Sequence, residues 1–130
     1  GGVTMEVNIP EVLAEVTSVF EAYEAAFVAN DTDTLARLFW QDARVVRYGI
    51  ADMQHGPEEL AAFRRDFVAV DLARDLDRTV ITTFGRDLAT ASTLFRRASA
   101  AGKVGRQMQT WVRFPDGWKV AAAHVSIVDE

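Results

Sequence analysis

Apolar residues recur at helical spacing through the first part of the chain and alternate with polar ones through the last part. Val12, Val16, Val19, Phe20, Tyr23, Ala26 and Phe27 fall on one helix face, the three-to-four-residue recurrence of an amphipathic segment. The spacing predicts a helix that begins near Asn8-Ile9-Pro10-Glu11 and stops near Asn30. Asn8 suits the cap, Pro10 the first turn and Glu11 the positive helix end. A second, short helix starts at Asp31-Thr32-Asp33 and buries Leu35, Leu38 and Phe39. Residues 44–49 form a strand, followed by a loop with His55 and Gly56. Pro57-Glu58-Glu59 opens a third helix, with Leu60, Phe63, Phe67 and Val70 on one face.

From Asp75 onward the pattern is that of an antiparallel meander. Strands are predicted over residues 76–84, 88–97, 104–114 and 118–128, with turns at Gly85-Arg86-Asp87, Ala101-Gly102-Lys103 and Pro115-Asp116-Gly117. Helices first and strands afterwards predict an α+β domain rather than alternating βαβ units. The whole chain, residues 1–130, reads as one domain. Several strands are apolar or weakly polar on both faces: Ala121, Ala123 and Val125 oppose Val120, Ala122 and His124. A sheet covered on one side by helices should keep a polar second face. The outer face is therefore expected to be covered by a second copy of the chain, as a homodimer.

The net charge is -5, without any basic run. That argues against nucleic acid and against anionic membrane surfaces as partners. No apolar run reaches the roughly 18 residues of a membrane span, and no signal peptide is visible. Gly1 and Gly2 read as a remnant of expression and are set aside. The chain has no cysteine, so it forms no disulfide, thiolate metal site or Cys nucleophile, which fits a reducing cytoplasm. The histidines are His55 and His124, with no carboxylate at ligand spacing, so no metal site is expected. Without a Gly-rich phosphate loop, no nucleotide cofactor is expected either.

The candidate chemistry begins with Arg47, set among β-branched residues in Val45-Val46-Arg47-Tyr48-Gly49. A buried guanidinium is costly unless it is paired or held for an anion. Either Arg47 is a fork-shaped anchor for a carboxylate, or it sits at the sheet rim and pairs with Asp42 or Asp52. Tyr23 lies on the helix stripe between Phe20 and Phe27. It either gives a ligand a hydrogen bond or a proton, or is a core tyrosine bonded to a backbone carbonyl. By strand alternation His124 and Ser126 share a face with Trp118, Val120 and Ala122. They either bind or shuttle protons, or lie in a subunit interface. A Ser-His-Asp triad lacks its elbow and its carboxylate. Gln107, Gln109 and Trp111 share a face of residues 104–114. They suit a polar ligand, or form an exposed or dimer-facing row. Arg64 borders the third helix stripe and either reaches a cavity edge or is solvated. Arg65, Arg74, Arg96, Arg97 and Lys103 read as surface.

These residues also carry a resemblance. Asn8-Ile9-Pro10-Glu11-Val12, Leu38-Phe39-Trp40, Val46-Arg47-Tyr48-Gly49 and residues 80–87, 105–113 and 117–126 resemble the AtzH-like family. The Gly105-Arg106-Gln107 to Gln109-Thr110-Trp111-Val112-Arg113 and Ala122-Ala123-His124-Val125-Ser126 stretches are its most specific part. The family belongs with the nuclear-transport-factor-2-like, SnoaL-like proteins of cystatin-like fold. It includes oxalurate-catabolism proteins and a decarboxylase of dicarboxyurea. The resemblance implies a cone of three N-terminal helices on a curved, mainly antiparallel sheet. It also implies a metal-free and cofactor-free pocket inside a homodimer, with Tyr23 and Arg47 at the active site. The ligand would be a small anion, a carboxylated urea or ureido acid, and the reaction loss of CO2. Residues 50–56 and 67–75 depart from the family pattern.

Two other readings remain open. The chain is a non-catalytic helper of a ureide-degrading amidase partner. Or it is an enzyme like the ketosteroid isomerases or epoxide hydrolases of this fold, which need a buried carboxylate base. Against the latter, Asp75, Asp77, Asp87 and Asp116 sit at strand ends or turns.

Overall fold

The computed structural model describes residues 4–68 and 71–130; the expectations for Gly1, Gly2 and Val70 fall outside the described residues. Helix α1 spans Pro10–Val28 and α2 Thr32–Leu38. A short hairpin, β1 (Val46–Tyr48) and β2 (Met53–His55), leads into α3 (Gly56–Asp66). The meander follows as β3 (Asp75–Phe84), β4 (Leu88–Arg96), β5 (Lys103–Phe114) and β6 (Gly117–Asp129). All belong to one six-stranded sheet of order β2-β1-β6-β5-β4-β3. Neighbours are antiparallel except β1 and β6, which run parallel. The architecture is α+β, with three helices packed on a mainly antiparallel sheet. No described helix is long and apolar enough to cross a membrane.

Local chemistry explains two departures from expectation. Asn8 does not cap α1. It adopts φ 58°, a left-handed conformation that asparagine tolerates better than most residues. Its backbone N–H donates to the Thr83 carbonyl at 3.0 Å, and its Oδ1 accepts the Thr83 N–H at 2.8 Å. Asn8 thus stitches the start of α1 to β3, while Ile9 holds the cap position without a side-chain bond. Asp31 does cap α2, accepting the Thr34 N–H. The segment expected as a loop before α3 contains β2, whose Met53, Gln54 and His55 pair with Tyr48, Arg47 and Val46. Three residues are too few for alternation to reveal a strand.

The core lies between the helices and the inner face of the sheet. Trp111 is fully buried, and the Tyr23 ring meets it edge-on at 6.3 Å and meets Phe39 at 6.2 Å. Val12, Val16, Phe20, Leu35 and Val120 fill the space around them. Each buried side chain of this size contributes roughly 1.5–3 kcal/mol.

A bulge interrupts β6. Thr110 pairs with Ala122 but Trp111 pairs with Val120, which leaves Ala121 as an extra residue. Period-two alternation reverses across such an insertion. Trp118 and Val120 face the core, yet beyond the bulge Ala123 and Val125 face inward. Ala122, His124 and Ser126 face outward, opposite Thr110, Met108 and Arg106. The expected single row from Trp118 to Ser126 is therefore split between the two faces.

Gly105 pairs with Phe95 across β4 and β5. The Phe95 ring lies over the glycine so closely that a Cβ there would fall 2.1 Å from Cζ. Gly105→Ala should therefore tilt Phe95 and lower the unfolding free energy by about 1–3 kcal/mol. Urea denaturation with an unchanged m-value would register the loss; a wild-type midpoint would refute this account of the glycine.

Candidate functional site

A cavity of about 260 Å³ opens between the helices and the sheet. Helix α1 contributes Tyr23 and Phe27, β1 Arg47, the hairpin loop Ile50 and Asp52, and α3 Phe63 and Arg64. Leu72 and Arg74 come from the segment before β3, Phe95 and Arg97 from the end of β4, Gln107 from β5 and Val125 from β6. Aromatic walls and four guanidinium groups thus surround one space.

Arg47 is buried, on the same strand face as Val45. Its Nη1 donates to Asp52 Oδ1 at 2.8 Å and to Gln54 Oε1 at 2.9 Å. Gln54 Nε2 closes the triangle by donating to the same Asp52 oxygen at 2.8 Å. The guanidinium also lies over the Phe63 ring at 4.7 Å, a cation–π contact. Gly49 makes room for this arrangement, since a Cβ there would sit 2.4 Å from Asp52 Oδ1. Of the two expected partners Asp52 is the one used; Asp42 pairs with Arg44. Both Arg47 bonds use Nη1, so the rest of its fork is uncommitted to protein among the described residues.

Arg64 is the less satisfied group. Its Nη2 is buried without a hydrogen-bond partner among the described residues. The guanidinium lies 5.5 Å from the Phe63 centroid and 5.9 Å from that of Phe39. Burial pushes its pKa below the ordinary value and Arg47 adds to that, while Tyr23 and Asp52 favour the charged form. A guanidinium stays protonated in proteins. Arg64 is therefore a desolvated cation that lines the cavity and keeps an N–H without a protein partner among the described residues, an attractor for an anion.

At the other end Arg74 is enclosed rather than exposed as expected. Its guanidinium lies 4.1 Å from the Phe27 centroid and 4.6 Å from that of Phe95. It forms a bidentate pair with Glu24, from Nε and Nη2, and Nη2 also donates to Gln107 Oε1 at 2.9 Å. Arg97, also expected at the surface, lines the cavity with its guanidinium 4.9 Å from the Phe95 centroid. Burial and then Arg74 lower its pKa, while Asp71 and Glu24 oppose the shift. The segment around Arg74 has no apolar periodicity, so nothing in the sequence marks either arginine as internal.

Tyr23, Arg47, Arg64 and Gln107 are thus brought together around the cavity. Gln109 and Trp111 are buried on the same face of β5 but bond each other, the indole Nε1 donating to Gln109 Oε1 at 3.0 Å; neither lines the cavity. His124 and Ser126 lie on the opposite face of the sheet because of the Ala121 bulge. His124 packs edge-on against Tyr48 at 6.1 Å, and Ser126 Oγ accepts from Arg106 Nε at 3.0 Å. Among the described residues no cluster of three or more His, Asp or Glu could hold a metal ion. Two carboxylates do reach the cavity, Asp52 from the β1–β2 loop and Asp71 from the segment before β3, neither from a strand interior. Asp52 already accepts hydrogen bonds from Arg47 and Gln54.

The chain superimposes on a protein of unknown function from Pectobacterium atrosepticum, of the DUF3225 family, with TM-score 0.92 and 50% identity over 95% of each chain. A cystatin-like fold protein from Burkholderia xenovorans gives TM-score 0.93 and 49% identity over 98% of this chain and 99% of that one. An NTF2-like protein of unknown function from Shewanella oneidensis shares the fold at 17% identity, with TM-score 0.69 over 87% and 97% of the two chains. No curated protein matches the chain. The AtzH-like family model matches residues 5–130. A cystatin-like, NTF2-like domain with a cationic cavity between its helices and its sheet, this chain belongs to the AtzH-like family.

Proposed function

We propose that this domain binds a carboxylated urea or ureido acid in the cavity and releases CO2 from it without metal or cofactor. The observation that carries the reading is Arg64, a buried guanidinium with an unpartnered Nη2 on a cavity shared with Arg47 and Tyr23. Loss of CO2 from an N-carboxylated urea breaks the C–N bond, leaves the electron pair on nitrogen and requires a proton there. Only interactions that strengthen in the transition state accelerate such a step. Arg64, with the uncommitted side of Arg47, would hold a carboxylate that stays on the substrate. The aromatic walls would desolvate the carboxylate that leaves, and the Tyr23 hydroxyl would deliver the proton and regain one from water. The reaction is assigned to the cytoplasm, in keeping with a chain that has no cysteine.

The homodimer is proposed through the outer sheet face. Val46, Tyr48, Met108, Thr110, Ala122 and His124 line a shallow groove there, and Met108 and Met53 are 59% and 69% exposed. A second copy would cover this apolar face. Met108→Glu should then shift the mass in sedimentation equilibrium from dimer to monomer. A wild-type monomer would sink the dimer.

The functional reading is tested by thermal shift with oxalurate, allophanate, biuret and malonate, followed by a CO2-release assay. A ligand that binds only the folded state raises the midpoint by mass action. Tyr23→Phe and Arg47→Ala should each lower kcat/KM on the turned-over compound by about 10²–10⁴-fold. Near-normal turnover by both would refute the decarboxylase reading. Binding without any turnover would instead point to a ligand-holding partner of an amidase.

Arg64→Met separates function from stability. Removing a desolvated cation should leave the melting temperature unchanged or raise it, by up to about 1–4 kcal/mol in stability. The same variant should lose all stabilisation by the anionic ligand. A marked drop in melting temperature would show instead that Arg64 holds the fold together.

A further inference from the structure

The inner face carries three glutamines, and each is oriented by a group that only donates. Gln54 Oε1 accepts from Arg47, Gln109 Oε1 from the Trp111 indole, and Gln107 Oε1 from Arg74 Nη2. Arginine and the indole N–H have no acceptor capacity, so each must meet the amide oxygen. The Gln107 amide therefore cannot be flipped without setting donor against donor. Arg74 is itself immobilised by Glu24 and by the Phe27 and Phe95 rings. Its orientation is thus imposed on Gln107 from behind.

The consequence falls on Gln107 Nε2. Gln107 is 3% exposed, it lines the cavity, and its Nε2 has no partner among the described residues. A buried N–H left unmade is costly; Gln109 Nε2 is equally unpartnered but Gln109 does not line the cavity, so of the two it is the Gln107 donor that an acceptor oxygen of a ligand in the cavity would satisfy. The kind of acceptor follows from the charges around it. At the Arg64 end, Arg47 and Arg64 face the single carboxylate of Asp52, an excess of one positive charge. At the Gln107 end, Arg74 is paired with Glu24, and Arg97 and Asp71 line the cavity as one further cation and one further carboxylate. That end is electroneutral and rewards a neutral acceptor more than a second carboxylate.

We infer that Gln107 is a specificity-determining residue, whose Nε2–H reads the neutral carbonyl oxygen of a ureido group while the ligand's retained carboxylate sits at Arg64. The inference rests on the carboxylate-binding reading above and adds which atom distinguishes a ureido acid from other acids. Glu24 and Arg74 act through Gln107 as positioning residues.

The test uses isothermal titration of the full chain with three ligands of one shape: ureidoacetate, succinate and 4-methylpentanoate. They share one carboxylate, and the other end is a urea, a carboxylate or an isopropyl group. Wild-type protein should bind ureidoacetate about tenfold or more tightly than either of the others. Gln107→Met and Gln107→Leu each remove the donor without adding charge and should collapse the ratio of ureidoacetate to 4-methylpentanoate to near unity, while succinate, whose second carboxylate still meets an electroneutral end, stays weak. The ratio is internal to each variant, so a general loss of affinity does not mimic the result. Far-UV circular dichroism and the melting temperature verify that each variant is folded. Equal binding of the three ligands by wild type, preference for succinate, or an unchanged ratio in both folded variants would overturn the assignment while leaving the carboxylate pocket standing. Failure of wild type to bind any of the three would overturn the pocket reading and this inference together.

Discussion

A guanidinium loses several kcal/mol of hydration when it enters a protein interior, and this domain draws Arg47, Arg64, Arg74 and Arg97 around one cavity. Much of the surrounding structure offsets that cost. Phe63 serves Arg47 and Arg64, while Phe27 and Phe95 serve Arg74. Carboxylates compensate Arg47 and Arg74. Gly49 and Gly105 exist as glycines because Asp52 and Phe95 must come close to the backbone to take up these positions. The uneven compensation gives the cavity its chemistry: where pairing is incomplete, at Arg64, the interior remains hungry for negative charge.

The polar network differs from a set of independent hydrogen bonds. Obligate donors fix the amide groups of Gln54, Gln107 and Gln109, so the pattern of free N–H groups is decided by residues that do not themselves present those N–H groups. Such preorganisation lets a site recognise a ligand without reorganising at the moment of binding. It also means that a change at Glu24, on the helix, is transmitted through Arg74 to an atom on β5.

The sequence made the architecture legible because helical and alternating periodicities are strong in α1, α3 and the meander. Tyr23 and Arg47 stood out as polar groups on apolar faces, and both line the cavity. What escaped were features without a periodic signature. Arg74 and Arg97 flank strands in irregular segments, where exposure is the ordinary state of an arginine. Asn8 looked like a cap because asparagine favours caps, yet its side chain accepts a bond from Thr83, far along the chain. His124 and Ser126 were assigned to a face by counting in twos, and counting in twos fails across a bulge.

The same bulge decides what the cavity wall is made of. β6 carries Ala121 as one residue more than its partner strand needs, and the bulge absorbs it without shifting the pairing beyond it. The wall past Val120 is therefore Ala123 and Val125, inert and small. Were Ala121 paired in regular alternation instead, every later side chain of β6 would change face, and His124 and Ser126 would meet the ligand in place of Ala123 and Val125. One absorbed residue thus keeps an imidazole and a hydroxyl out of the cavity, so the chemical inertness of this wall is a property of the backbone path rather than of the residues available to β6.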